Sequence, residues 1–397
     1  MDRDALVMRN RKIAEAFHSI PLQHHIRHGL LRGVALLPIS KGQASQQERI
    51  LLIRPDHLGD MLLTTPAIHA LRQAVPSAEI HALVGPWSAG VLADNPDIDA
   101  VITLDFPGFN RSGNPNLSSP YQLAWITARQ LRKMRYTSAI ILRPDHWWGA
   151  LAAFMAGIPQ RIGHDQRDTA PFLTDVVQVQ EPHAVMQSVR LMARWTGPIT
   201  KTDLAYQFHY PDEATDFIDA YLSNRSISPT DRFFCIHPGA GTWVKRWTGR
   251  QWAQVADTLT DQLEATAILT GTDSESHLAQ EIAAFMTHEP IIASGDTDIP
   301  QLAALFDRAL VVLGPDSGPL HLAAAVDTPT VALFGPAAHA EFAPWGPADR
   351  HQTLVSDIGC IGCRVLDWGQ DNPENHPCVR EISVGRVLEA ARQVVSI

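Results

Sequence analysis

From residue 49 onward, short β-branched runs alternate with longer segments whose apolar residues recur at helical spacing. Strand candidates are 50–54, 79–84, 100–104, 138–142, 232–237, 264–270, 290–293, 308–313 and 328–334. Helices are expected at 60–74, 121–134, 183–195, 211–223, 249–263, 275–286, 299–305 and 317–325. Parallel strands need a long return path, so this alternation implies parallel sheets with right-handed crossovers. The strands are too many for one open sheet of ordinary width. An α/β protein with two doubly wound domains follows, over 49–205 and 206–397. The break is expected near 198–211, where "GPITKTDLAYQFHYPDEA" carries prolines and loses its period.

Charge separates the first 48 residues from the rest as a basic N-terminal extension. The chain carries a formal net charge of −10, yet residues 1–41 hold seven Lys/Arg against three Asp/Glu. An acidic chain argues against sequence-independent nucleic-acid binding. Basic residues mixed with apolar ones, as in "HHIRHGLLRGVALL", suit either a helix on an anionic membrane surface or an extension lying loose or packed on a domain. The second is the expectation. No apolar stretch reaches the ~20 residues needed to span a bilayer. No secretory pattern opens the chain either, so a cytoplasmic protein is expected, in contact at most with the inner face of the membrane.

Two strand ends share a tetrad: "ILLIRPDHLGD" at 50–60 and "AIILRPDHWWG" at 139–149. Pro55 and Pro144 cannot donate into a ladder and mark carboxyl ends, where open α/β sheets bind ligands. Arg143, His146 and Trp147 are therefore expected on the acceptor side. In the first tetrad Gly59 permits a tight turn and Asp60 follows at a helix start. Asp60 suits helix capping, and equally general-base work on a substrate hydroxyl.

Two further stretches suit phosphate. "CIHPGAGTWVKRW", 235–247, ends a strand in a loop containing Gly239 and Gly241, followed by Lys245 and Arg246. Such a loop lets backbone N–H groups and cations meet phosphate oxygens. Neither a P-loop nor a dinucleotide glycine fingerprint is present, which excludes an NAD-dependent dehydrogenase. "LVVLGPDSGPLHLAAA", 310–325, closes a buried strand and opens a helix whose Ser317 and Gly318 leave N–H groups free for an anion. Asp316 beside an anion suits sugar hydroxyls, and His321 lies on the first turn. Together these describe a diphosphate-linked sugar.

With these residues the chain resembles glycosyltransferase family 9, the bacterial heptosyltransferase family of lipopolysaccharide core assembly. The resemblance covers about 49–395 through "GDMLLTTPAIHALR", "RIG" at Arg161–Gly163, "HPGAG…KRW" and "GPDSGPLHLAAA" followed by "TPTVALFGP". It implies a GT-B fold, two Rossmann-like domains facing across a cleft. It also implies inverting transfer without metal, from a nucleotide-diphosphate sugar, usually ADP-heptose. The acceptor implied is a lipid-linked or lipopolysaccharide glycan. By the same resemblance Asp60 is the base, Lys245 steadies the leaving diphosphate, Asp316 holds sugar hydroxyls, and Ser317 with Gly318 bind phosphate. His321 matches a family histidine, and either Asp273 or Glu275 holds the nucleoside. The alternative is a sugar-nucleotide-binding protein without transfer activity.

Four cysteines in 397 residues are no disulfide scaffold. Cys235 reads as a small buried hydrophobe. Cys360, Cys363 and Cys378, with His376, have the ligand types of a structural zinc site at loose spacing, in a loop over 357–381. Reduced thiols packed under a surface loop are the expectation, with zinc the alternative.

Overall fold

The computed structural model describes residues 2–40, 42–109, 119–369 and 371–395. Two compact units emerge: Ile20–Gln207, and Met1–Ser19 together with Phe208–Ile397.

The first unit is built on one parallel sheet. Its strands are β1 (Arg49–Arg54), β2 (Glu79–Val84), β3 (Ala100–Thr103), β4 (Ser138–Ile141), β5 (Gln160–His164) and β6 (Asp175–Val177). They lie in the order β3-β2-β1-β4-β5-β6. Ile50–Ile53 are buried on both faces, as β-branched and leucine runs must be when helices cover both sides. The chain leaves β1 and returns to β4 on its other side, which opens a crevice at their carboxyl ends. Leu51, Ile53, Ile141, Phe106 and Trp148 share one core there.

The second unit repeats this plan with β7 (Phe233–Ile236), β8 (Thr266–Leu269), β9 (Ile291–Ile292), β10 (Val312–Pro315), β11 (Thr330–Phe334) and β12 (His351–Val355). Their order, β12-β11-β10-β7-β8-β9, is the same winding read from the other edge. The reversal falls between β7 and β10. There Gly314 lets the strands approach: a Cβ on it would stand 2.6 Å from the His237 carbonyl oxygen and 2.6 Å from Leu320 Cδ2. Phe234, Ile236, Leu313, Leu333 and Trp252 form this unit's core.

Several details differ from the sequence reading. The segment 60–74 is two helices, Leu58–Leu62 and Thr65–Ala74, because Pro66 restarts the helix and Thr64 donates its hydroxyl back to the Asp60 carbonyl at 2.9 Å. β10 begins at Val312 and continues through Gly314-Pro315 instead of stopping before them. β5, β6, β12 and the helix Trp147–Met155 add to the expected elements.

The N-terminal extension does not stand apart. Its first helix, α1 (Arg3–Phe17), belongs to the second unit, where Arg3 pairs with Glu381 and Arg9 with Asp371. Its second, α2 (Leu22–Ala35), belongs to the first, anchored by buried Leu31 and by Arg27 and His28 on Asp168. Among the described residues no helix is long and apolar enough to cross a membrane.

Candidate functional site

The carboxyl ends of β1 and β4 carry a charged network. Arg54 is buried, donates through Nη1 to the Leu142 carbonyl at 3.0 Å, and brings Nε within 2.8 Å of Asp56 Oδ2 without hydrogen-bond alignment. Arg143, from the second tetrad, reaches across to donate to Asp56 Oδ1. It also holds Asp145 through Nε at 2.6 Å. The echo in the sequence is thus a contact in space, though an unequal one: the Asp56 side chain is 3% exposed and that of Asp145 66%. Burial would raise the Asp56 pKa, but Arg54 and Arg143 outweigh it and hold the carboxyl below its usual range. The same two aspartates keep the Arg143 guanidinium charged against its own burial.

Asp60 stands on this network's rim. It is the third residue of its short helix, whose N-cap is His57, so capping is not its position. Its carboxylate is one-third exposed and its Oδ1 lies 3.6 Å from Arg54 Nη2. Gly59 precedes it in the same helix. His146 lies beneath, enclosed by Phe106, Phe109 and Trp148, and burial pushes its pKa down to about 4. Gly149 is required beside it, since a Cβ there would stand 2.6 Å from the imidazole Nδ1.

In the second unit the ends of β7 and β10 bring the two phosphate-suited stretches together. Lys245 Nζ sits 2.6 Å from Asp316 Oδ2, with both side chains largely shielded from water. Asp316 donates its backbone N–H to the Leu333 carbonyl at 3.0 Å, which fixes the turn. Ser317 is the N-cap of the helix Gly318–Ala325, and its buried hydroxyl has no hydrogen-bond partner among the described residues. His321 is buried on that helix.

Of the two acidic candidates after β8, Glu275 faces the glycine loop. Its carboxylate lies where a Cβ on Gly239 would fall, so only glycine fits. It accepts from the Thr272 N–H at 3.0 Å and the Thr272 hydroxyl at 2.8 Å. Against the effect of burial, these bonds and the nearby Arg246 hold it below the usual carboxylate range. Asp273 packs instead on Gly295, whose Cβ would meet it at 3.1 Å. Around Gly241 there is open space. A cavity of about 310 Å³ adjoins this loop, lined by Trp243, Arg246, Trp247, Thr248, Glu281 and Arg380.

The sequence reading did not single out Arg54 or Asp56 as site groups, although both sit in the repeated tetrad. Their signal was an arginine and an aspartate inside a run otherwise fit for full burial. The cavity-lining tryptophans carried no signal beyond apolarity.

Near the carboxyl terminus, burial raises all three thiols of Cys360, Cys363 and Cys378, the last to about 12, so they are neutral. His376 turns onto Asp371 at 2.9 Å between two tryptophan rings. Among the described residues no three His, Cys, Asp or Glu side chains gather to hold a metal ion. The alternative zinc reading thus has no ligand cluster among the described residues, and Cys360 and Cys378 pack into the core.

Residues 125–366, more than half of the chain, match the family described as glycosyltransferase family 9 (heptosyltransferase). A relative from Escherichia coli K12, lipopolysaccharide heptosyltransferase 3, is 30% identical over 300 residues, covering 72% of this chain and 82% of its own. Among solved structures, a family 9 glycosyltransferase from Veillonella parvula superposes with TM-score 0.73 at 23% identity, covering 89% of this chain and 99% of the other. The E. coli ADP-heptose lipopolysaccharide heptosyltransferase II superposes with TM-score 0.66 at 22% identity, over 88% and 98%. These two likenesses establish the GT-B fold. The chain belongs to glycosyltransferase family 9, the heptosyltransferase family, and is a glycosyltransferase.

Proposed function

We propose that this glycosyltransferase moves a heptose-like sugar, with inversion, from ADP-heptose to a lipopolysaccharide core or related envelope glycan at the cytoplasmic face of the membrane. The observation that carries the reading is the Lys245–Asp316 pair at the strand reversal of the second sheet, 2.6 Å apart. The names of the relatives support the donor and acceptor class.

In this reading the diphosphate occupies the start of the helix Gly318–Ala325 and takes Lys245 as counter-ion, while Asp316 turns to sugar hydroxyls. Glu275 and the cavity beside Trp243 face the nucleoside. Asp60 accepts the proton of the acceptor hydroxyl as that oxygen bonds to the anomeric carbon. The carbon–oxygen bond to phosphate breaks, and ADP leaves with the electron pair. Fixed cations and helix N–H groups aimed at the growing charge supply the stabilisation, and no metal is assigned a role. Arg54 Nη2 lies 3.6 Å from Asp60 Oδ1, and Asp56 balances Arg54 so that the rim carries no excess positive charge.

Asp60→Asn tests the reading. Transfer should fall by roughly 10²–10⁴-fold, the usual worth of a general base, with ADP binding by calorimetry unchanged. Unaltered turnover would remove Asp60 from the mechanism. Tighter binding of UDP than ADP would overturn the donor assignment.

A further inference from the structure

The N-terminal helix α2 holds to its unit by one narrow ridge. Leu31 is buried, and Arg27 and His28 beside it both bond to Asp168. At 100° per residue, Leu22, Ile26, Gly29, Leu30, Gly33, Leu36 and Leu37 fall on the opposite side, within an arc of roughly 120°. Every apolar member of that face is bare: Leu22 is 75% exposed, Ile26 58%, Leu30 64% and Leu36 85%. Nothing lies within 4 Å of a Cβ on Gly29 or Gly33, so the two glycines serve no contact inside the chain. Each weakens the helix by about 1 kcal/mol relative to alanine, and each leaves the face flat.

A second exposed apolar surface of this unit is reached from the packed ridge of α2. Arg27 lies 5.3 Å over the Trp147 ring, and Trp147 in turn lies 5.8 Å from Tyr121 on the helix Ser119–Met134. Arg132 of that helix bonds Ser40, just beyond α2. There Tyr121, Trp125 and Ile126 are about half exposed, and Arg129 stacks 4.8 Å over Trp125.

The charge distribution says what covers this surface. On α2 Arg32 is exposed while Arg27 is paired with Asp168, and the helix Ser119–Met134 exposes Arg129, Arg132 and Lys133 and contains no Asp/Glu. The whole chain has 42 acidic residues and a net charge of −10. A second copy docked face to face would set cation on cation, since a two-fold interface pairs a patch with itself. Leucine and isoleucine flanked by arginine, with tryptophan and tyrosine at the edge, fit the apolar boundary and phosphate layer of a bilayer. We propose that the outer face of α2, together with Tyr121, Trp125 and Arg129, is the site by which this protein seats on a membrane surface rich in anionic lipid. The proposal gives residues to the membrane contact in the reading above, while transfer chemistry lies elsewhere.

The test is flotation of the full chain with phosphatidylcholine vesicles, alone or with roughly a third phosphatidylglycerol. The protein should float with the anionic vesicles at least roughly tenfold better than with the neutral ones, less so at high salt. Ile26→Ser with Leu30→Ser should lower flotation by roughly tenfold or more. Arg32→Glu with Arg129→Glu should remove the preference for anionic vesicles. Both pairs are at the surface, so melting curves should match the unaltered protein, and transfer to a water-soluble acceptor fragment should persist. Loss of that transfer in Asp60→Asn alone would therefore bear on the catalytic reading and not on this one. Absence of flotation, flotation unchanged by Ile26→Ser with Leu30→Ser, or a dimer that this pair dissociates would each overturn the proposal.

Discussion

Among single residues, Asp56 shows how much a repeated motif can conceal. Asp56 and Asp145 occupy the same place in two copies of Arg-Pro-Asp-His, yet only Asp56 is buried between two guanidinium groups. Removing one partner of a buried network strands the others in low dielectric, which costs about 3–5 kcal/mol. An exposed ion pair such as Arg143–Asp145 contributes about 0–1 kcal/mol. Asp56→Ala should therefore destabilise the protein to urea by about 3 kcal/mol or more, and Asp145→Ala by less than about 1. Equal effects would show that the tetrads are energetically alike and that the network at the end of β1 is no support for Asp60. The sequence announced that both strand ends carry charge, because prolines and arginines interrupt apolar runs there. It could not announce which aspartate was buried, since that depends on β4 lying against β1 and carrying Arg143 into reach.

For the elements, legibility followed burial pattern. β1, β2, β4 and β7 are largely buried, mostly apolar runs, and their expected bounds fall within one or two residues of the observed ones. β5 and β6 mix polar residues into short pairings at one edge, and β12 ends the other sheet with a half-buried pattern, so no run stood out. The helix Trp147–Met155 was missed for the opposite reason: nearly every residue is apolar, so it has no polar face to reveal a period. Gly314 is an element-scale constraint that the sequence showed only as a turn signal. Alanine there would press on the His237 carbonyl oxygen and Leu320, forcing β10 away from β7 and shifting Asp316 and Ser317 with it. Gly314→Ala should cost about 1–3 kcal/mol of stability and weaken ADP binding by calorimetry. Gly241→Ala, facing open space, should stay within about 0.5 kcal/mol of the parent in stability. A Gly314→Ala protein that melts and binds ADP as the parent does would mean that the strand reversal tolerates a wider spacing.

At the scale of the molecule, the two units share a response to acid because both bury neutral histidines. His146 and His164 in one unit, and His237 and His351 in the other, are each lowered by burial from the ordinary value near 6.5 to about 4. Between these values the unfolded chain binds protons that the folded chain refuses, so stability must rise with pH from 4 to 6.5 and level off above. Each histidine contributes up to about 1.4 kcal/mol per pH unit within that window. Asp56 adds a loss at lower pH: its folded pKa is depressed, so its contribution is complete above the ordinary carboxylate range and disappears as pH falls below it. His237→Gln keeps a side chain able to bond Thr270, the present partner at 3.2 Å, while removing one titrating ring. Urea unfolding followed from pH 7 to 4.5 should show a shallower loss in His237→Gln, by up to one proton's worth of slope. A slope identical to the parent's would mean that His237 protonates in place, and that the interior at the end of β7 admits charge more readily than its enclosure implies.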